Sequence, residues 1–128
     1  MRFLLDTHAF LWWESDDRRL SVTARRIFSD EDNEIFFSVA SGWEIAIKAG
    51  LGQLDIPEGP ERFVLDEVEA NDFIVLSVDL RHALGVYDLP DHHRDPFDRL
   101  LVAQAQAEDF PILTMDPEIS RYPVETVW

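Results

Sequence analysis

The sequence predicts an α/β fold with a central, mostly parallel sheet of four to five strands. Short apolar runs alternate with helical patterns along the chain, which is the order expected of β–α units. The runs are continuously apolar, which indicates strands that are buried on both faces. The 128 residues contain no internal repeat or long linker, so we expect a single domain over residues 1–128.

The first part of the chain is predicted to form one strand and two helices. The apolar run RFLL at residues 2–5 predicts a strand that stops at the polar Asp6. Residues 7–14 are expected to form a short helix. Ser21 is a favourable N-cap, so a second helix is expected over residues 22–30.

The middle of the chain continues this alternation. Aromatic and β-branched residues in EIFFS at 34–38 predict the second strand. Apolar residues recur at helical spacing over 41–50, and the glycine that ends this segment suits a helix C-terminus. Proline is tolerated in the first turn of a helix, so Pro60 is expected to begin a helix that ends at Ala70.

The last part of the chain is predicted to add three strands and two helices. The runs FIVLSV, PILTM and VETVW predict strands at 73–78, 111–115 and 124–128. Residues 79–87 and 95–108 predict helices. The second of these has the clearer start, because an aspartate followed by a proline matches an N-cap and the first helical position.

Composition narrows the classes of function. The chain has 11 Lys and Arg against 26 Asp and Glu, and its net charge of −15 argues against nonspecific phosphate binding by a broad basic surface. The absence of cysteine excludes disulfides and thiolate metal ligands, and it suits a reducing cytoplasm, where we expect the protein. No apolar run approaches the roughly 18 residues of a membrane span, so no membrane association is expected.

Acidic residues occur where the predicted strands end. Asp6 follows the first strand and Asp116 follows the fourth, while Glu44 lies on the helix after the second. Asp98 is in the first turn of the helix that leads into the fourth strand. Because ligands of parallel sheets bind beyond the carboxyl ends of the strands, we expect these acids at one rim.

Such a cluster favours a hard divalent cation. Neighbouring carboxylates repel one another unless a cation lies between them, and oxygen ligands select Mg²⁺ or Mn²⁺. Each acid also has a structural interpretation. Asp6 can cap the following helix, Glu44 can pair with Lys48 one turn later, and Asp116 stands before a proline in a turn-like context.

The two aspartates at the start of the long helix are expected to have different roles. Asp95 matches the N-cap and is a candidate outer metal ligand, whereas Asp98 is expected to point inward as a ligand. Arg99, four residues after Asp95, is expected to steady it. Candidate substrate contacts are polar residues near strand ends or beside this helix: Thr114, Ser41, Lys48, His93, Arg94 and Arg99. Further basic candidates for RNA contact are Arg18, Arg19, Arg25 and Arg26.

The chain resembles the PIN domain, in the branch that contains VapC-type toxins. The resemblance depends on four stretches that occur in order: FLLDTHAFLWW, SVASGWEIAIKAGLGQL, HHRDPFDRLLVAQA and ILTMD. It implies a three-layer α/β/α sandwich, metal-dependent ribonuclease activity, an antitoxin encoded alongside and a homodimer. The positions that match the family's acidic residues are Asp6, Glu44, Asp98 and Asp116.

The resulting hypothesis is a Mg²⁺- or Mn²⁺-dependent endoribonuclease, the toxin of a toxin–antitoxin pair, which hydrolyses RNA phosphodiesters with a metal-activated water. The alternative is a non-catalytic, acidic protein-binding module with the same fold. A metal-dependent phosphatase is less consistent with the sequence, because Asp6 is followed by THAF and not by the D-x-D-x-[TV] pattern of an aspartate nucleophile.

Overall fold

The structure, a computed structural model, describes residues 1–128 and contains one five-stranded sheet. All four strand pairings are parallel, so the predicted mostly parallel sheet is wholly parallel. The spatial order is β3-β2-β1-β4-β5. The strands are β1 Arg2–Leu5, β2 Glu34–Ser38, β3 Ile74–Leu76, β4 Ile112–Leu113 and β5 Thr126–Val127.

Six α-helices connect the strands, close to the positions predicted from the sequence. They are α1 Thr7–Glu14, α2 Val22–Ser29, α3 Val39–Gly50, α4 Pro60–Ala70, α5 Leu80–Gly85 and α6 Pro96–Glu108. The chain also forms two short 3₁₀ helices, Val86–Asp88 and Ile119–Arg121. Helix α3 begins two residues earlier than predicted, because the Ser38 side chain at the end of β2 caps it by accepting a hydrogen bond from the Ala40 N–H. None of the helices is long and apolar enough to cross a membrane.

Helices cover both faces of the sheet and form a three-layer α/β/α sandwich. On β1, Phe3 and Leu5 point to a core shared with α1, α2 and α4, whereas Leu4 points to a second core shared with α6. This alternation follows from the two-residue period of a strand. Because both cores are apolar, the strands have the continuous hydrophobic character from which the parallel sheet was predicted.

The strand order places a topological switch point between β1 and β4. The chain builds β1, β2 and β3 in one direction, then returns to the other side of β1 to add β4 and β5. Leu5 of β1 is in register with Leu113 of β4, and the Asp6 N–H donates to the Leu113 carbonyl oxygen at 3.1 Å. The segments that follow these two strands diverge here, which is where α/β folds bind ligands.

Candidate active site

Asp6 is the acid at the centre of the switch point. It is the N-cap residue of α1, but its side chain makes no capping hydrogen bond, so capping does not account for the carboxylate. The side chain is buried, at 4% exposure, and its Oδ2 accepts a hydrogen bond from Thr114 Oγ1 at 2.8 Å. Burial raises the pKa of Asp6. The Thr114 hydrogen bond and His8 oppose this shift, whereas repulsion from Asp116 and Glu44 adds to it.

Glu44 reaches the site from α3. Its side chain is 3% exposed, and Oε2 accepts a hydrogen bond from Lys48 Nζ at 2.6 Å, which is the pair predicted from their spacing. Partial burial alone would lower the pKa of Lys48, but the hydrogen bond and attraction from Glu44 raise it overall, with Asp95 and Asp98 contributing. The other oxygen, Glu44 Oε1, is buried without any hydrogen-bond partner.

Asp98 enters from the first turn of α6. Its Oδ2 lies 3.1 Å from His93 Nε2, and burial raises its pKa to about 7. The His93 hydrogen bond lowers this pKa, whereas the nearby Asp95, Asp6 and Asp116 raise it. Asp95 is the N-cap, since its Oδ1 accepts from the backbone N–H groups of Phe97 and Asp98 at 2.9 and 3.1 Å.

Asp116 follows β4, two residues after Thr114. The Thr114 hydroxyl donates to Asp6 and accepts from the Asp116 N–H at 3.0 Å, so one hydroxyl joins the two strand ends. Asp116 Oδ1 accepts from the Glu118 N–H at 2.9 Å, which forms the turn predicted from its context.

The four acids share one arrangement. Each has one oxygen held by a neighbouring donor, and the other oxygen of each has no hydrogen-bond partner in the protein. A buried acceptor without a partner costs about 1–3 kcal/mol, and a buried negative charge costs more. Among the four acids, Glu44 Oε1 is the one oxygen that is both fully buried and unpartnered, and a bound cation would remove its penalty. The oxygen chemistry of the donor set suits a hard divalent ion, although no three of the four acids have ligand atoms within 4.8 Å of one another.

Most of the predicted substrate contacts are engaged within the protein. Thr114 and Lys48 hold acids, and Ser41 accepts a buried hydrogen bond from Thr7 Oγ1 at 2.8 Å, which joins α1 to α3. Arg94 is exposed and free of side-chain bonds. The proposed substrate contacts of these residues therefore stay predictions.

The prediction that Arg99 steadies the Asp95 side chain is wrong. The Arg99 guanidinium donates instead to the Pro90 carbonyl at 2.8 Å and to the Tyr122 hydroxyl at 3.0 Å. It also reaches the His93 and Val86 carbonyls, each at 3.4 Å. The physical reason is that the loop before α6 folds back over the helix and presents carbonyl oxygens to the guanidinium.

An open pocket of about 270 Å³ adjoins the acids. Asp6 and Asp116 form one wall, and His8, Trp12 and Arg19 form the other. The Arg19 guanidinium lies 4.4 Å from the Trp12 ring centroid, where a bidentate pair with Asp17 fixes it. Trp12 also packs against the core beneath α1, and its place beside the acids follows from α1 starting at the switch point.

A second cluster of acidic and histidine side chains, which was not predicted from the sequence, lies at the start of α5 and the end of α6. Ligand-type atoms of Asp79, His82 and Glu108 lie within 4.8 Å of one another. His82 is 1% exposed, its Nδ1 accepts from the Asp79 N–H at 3.1 Å, and its Nε2 lies 2.9 Å from Glu108 Oε1. Both ring nitrogens are therefore occupied, and the cluster is satisfied without an ion.

The fold and the four acids at its switch point define a class of protein, and sequence comparison identifies the same class. The chain belongs to the PIN domain family, whose profile matches residues 3–125. The predicted family and its α/β/α fold are thereby confirmed.

One curated relative is ribonuclease VapC16 of Mycobacterium tuberculosis, 43% identical over 58 residues. That alignment covers 45% of this chain and 41% of the relative, so the chain matches about two fifths of that protein's length.

Two solved structures have the same fold. VapBC2 of Rickettsia felis, bound to a DNA fragment from their promoter, gives a TM-score of 0.72 at 13% identity and covers 100% of this chain and 98% of that one. FitAcB of Neisseria gonorrhoeae gives 0.65 at 16% identity and covers 100% and 97%.

Proposed function

We propose that this protein is a metal-dependent endoribonuclease and the toxin of a toxin–antitoxin pair. The observation that carries the proposal is the set of four acids at the switch point, each with one oxygen left free. Family membership and the name of the curated relative support the same activity. The proposed ligands of Mg²⁺ or Mn²⁺ are Asp6, Glu44, Asp98 and Asp116, with Asp95 as the cap beside them.

The residues of the chain have distinct tasks in this reaction. When bound, the divalent ion supplies Lewis acidity toward a phosphoryl oxygen and activates water for hydrolysis of the phosphodiester. Thr114 keeps the Asp6 carboxylate turned toward the crevice, and Lys48 does the same for Glu44. These contacts fix the carboxylates before substrate arrives, so that little reorganisation is required during the reaction.

RNA is proposed to cross the acids and continue over the pocket beside them. Single-stranded bases stack on aromatic rings and on guanidinium planes, and Trp12 with Arg19 offers both. The net charge of −15 disfavours RNA elsewhere on the surface. A bound cation makes the crevice locally attractive to the phosphate. Arg94 is exposed near the other side of the site and remains a candidate phosphate contact.

We propose an antitoxin protein and a second copy of the chain as partners. An apolar groove of about 460 Å³ lies between α3, α4 and β3, lined by Val39, Trp43, Leu65 and Val75, which are all at least 45% exposed. An exposed apolar surface of this kind is typical of protein interfaces. We also propose that residues 1–128 act as a single domain and that the protein is located in the cytoplasm.

Cleavage of single-stranded RNA with Mg²⁺ or Mn²⁺ tests this function. Wild type is expected to cleave and Asp6→Asn to lose activity, while Asp66→Asn, which changes an exposed acid on α4, is expected to retain it. Equal cleavage by wild type and Asp6→Asn would contradict the proposal. Failure of the wild type to bind Mn²⁺ saturably would favour the non-catalytic protein-binding module.

A further inference from the structure

We propose that His93 is a positioning residue which, together with Tyr122 and Arg99, fixes the Asp98 carboxylate for metal binding. The inference rests on the proposed function, because it concerns one of the four proposed ligands. It assigns His93 to a contact within the protein instead of to the substrate, and it gives Tyr122 and Arg99 a role that depends on Asp98.

Three consecutive contacts form a relay toward Asp98. Arg99 Nη1 lies 3.0 Å from the Tyr122 hydroxyl oxygen, and that oxygen lies 2.7 Å from His93 Nδ1. On the other side of the ring, His93 Nε2 lies 3.1 Å from Asp98 Oδ2. All three distances are within the normal range for hydrogen bonds.

Arg99 and Asp98, at the two ends of the relay, determine which group donates each hydrogen bond. A guanidinium can only donate and an ionised carboxylate can only accept. His93 Nε2 must therefore carry a proton to bond Asp98. The Tyr122 oxygen accepts from Arg99, so its own proton is free to be donated to His93 Nδ1. With its proton on Nε2, His93 can donate to Asp98 and accept from Tyr122.

The supports of the relay are rigid. Tyr122 is 3% exposed and packs within the second core, between α6 and the sheet. Arg99 is held by backbone carbonyls, and one of them belongs to His93 itself. The same guanidinium therefore fixes both the backbone of His93 and the hydroxyl that orients its ring. A ring held in this way can keep a carboxylate rotamer in place.

The effect on the site is to select one Asp98 oxygen. Because Oδ2 is bonded to His93, Oδ1 remains for the cation. The other three acids are held by a hydroxyl, an ammonium group and a backbone N–H, so Asp98 is the one acid held by a histidine ring. Loss of the relay is therefore expected to weaken metal binding without changing the other ligands.

Tyr122→Phe is the appropriate variant, because it removes the hydroxyl and keeps the buried ring. Tyr87→Phe is the matched control, since the only other tyrosine is 92% exposed and outside the site. Mn²⁺ affinity is measured by electron paramagnetic resonance of free Mn²⁺. We expect Tyr122→Phe to bind Mn²⁺ roughly 10-fold more weakly than wild type, with Tyr87→Phe unchanged. An affinity of Tyr122→Phe within twofold of wild type would overturn the relay.

A double-mutant comparison separates positioning from a general structural effect. In an Asp98→Asn background, Tyr122→Phe is expected to leave the remaining Mn²⁺ affinity unchanged, because the carboxylate that it positions is gone. An equal loss in both backgrounds would contradict positioning. His93→Gln, whose amide can still donate to Asp98, is expected to bind Mn²⁺ more tightly than His93→Ala. Equal affinities of these two variants would also contradict it.

Nitrogen chemical shifts of the His93 ring, recorded at pH 8 without metal, test the relay. We expect the ring proton on Nε2 in wild type, and the tautomer protonated at Nδ1 alone would overturn the assignment. Cleavage kinetics distinguish the two proposals. RNA cleavage with no Tyr122→Phe effect on Mn²⁺ affinity would reject the relay alone. A clear effect on affinity in a protein that does not cleave RNA would reject the nuclease function alone.

Discussion

Two clusters in this protein, one around Glu44 and one around Glu108, contain similar residues but differ in how their polar atoms are hydrogen-bonded. Glu44 and Glu108 both lie on helices, and each has one oxygen hydrogen-bonded to a cationic side chain. Glu44 is near enough to Asp6 to repel it, and the second oxygen of Glu44 is buried without a partner. Around Glu108 the neighbouring His82 has both ring nitrogens bonded.

The difference teaches that residue type and proximity do not define a metal site. Asp79, His82 and Glu108 are close enough to share an ion, but none of their side-chain atoms is both buried and without a hydrogen-bond partner. At the switch point, Glu44 Oε1 is both. Buried acceptors that the protein leaves unsatisfied are therefore the more informative sign.

The largest expected effect is a difference in RNA cleavage between variants of the two clusters. Glu44→Gln should reduce RNA cleavage with Mg²⁺ by roughly 100-fold or more, because it removes a ligand charge from the site. Glu108→Gln should cleave at a rate close to wild type. Initial rates on a single-stranded RNA measure both, and equal losses in the two variants would remove the distinction between the clusters.

The buried polar residue beside the satisfied cluster should instead affect stability. Gln104 Nε2 lies 3.5 Å from His82 Nδ1 and donates to the Ser77 carbonyl at 3.3 Å, and Gln104 Oε1 accepts a hydrogen bond from the Ser38 hydroxyl. Gln104→Leu should lower the free energy of unfolding by about 1–3 kcal/mol, because it leaves buried partners unbonded. Urea unfolding in EDTA measures the change. An unaltered midpoint would show that this bond contributes little.

At the switch point, replacing an acid should raise the free energy of unfolding, whereas the Gln104 substitution lowers it. In EDTA at pH 8, Asp98→Asn should raise the free energy of unfolding by on the order of 1–2 kcal/mol, since it removes a buried charge that its neighbours repel. Urea unfolding of the metal-free protein measures the gain, and a loss of stability would contradict it.

The pH dependence of this gain follows from the pKa of Asp98. That pKa is raised from 3.8 to about 7, so the folded chain binds more protons than the unfolded chain between these values. The metal-free wild type should therefore lose stability as pH rises from about 4 to about 7. The advantage of Asp98→Asn should shrink as pH falls through this window, and a constant difference would argue against a raised pKa.

The smallest expected effect concerns Lys48. Lys48→Met should lower the stability of the metal-free protein by about 0.5–1 kcal/mol, because Glu44 loses its partly buried partner. Mn²⁺ should then bind a few-fold more weakly, because the Glu44 carboxylate loses the contact that orients it. Titration followed by electron paramagnetic resonance checks this, and tighter binding would instead make Lys48 a competitor of the cation.

Much of the fold could be predicted because helix starts and strands depend on residues that are close together in the sequence. Helix α6 follows from Asp95 and Pro96 at its start, and β2 follows from the composition of EIFFS. Strands β4 and β5 are shorter than their apolar runs, since each pairs through only two residues. Apolar character indicates burial, but strand length is determined by pairing with a neighbour.

The Glu44–Lys48 pair was predicted from its spacing, but the partners of Asp6 and Asp98 could not be predicted in the same way. The hydroxyl that holds Asp6 belongs to Thr114, 108 residues away along the chain. His93 precedes Asp98 by five residues, but Tyr122, which fixes its ring, is 29 residues further along the chain than His93. No periodicity or spacing rule connects residues at such separations.

The sequence by itself determined the α/β class, the order of the elements and the identity of the acids, because these depend on local composition and on motifs. The tertiary structure decided which acid has an oxygen that is buried without a partner. That choice depends on contacts between distant segments, which strand order and helix packing bring within hydrogen-bonding distance. The unpartnered Glu44 Oε1 and the fully bonded His82 are two results of this packing.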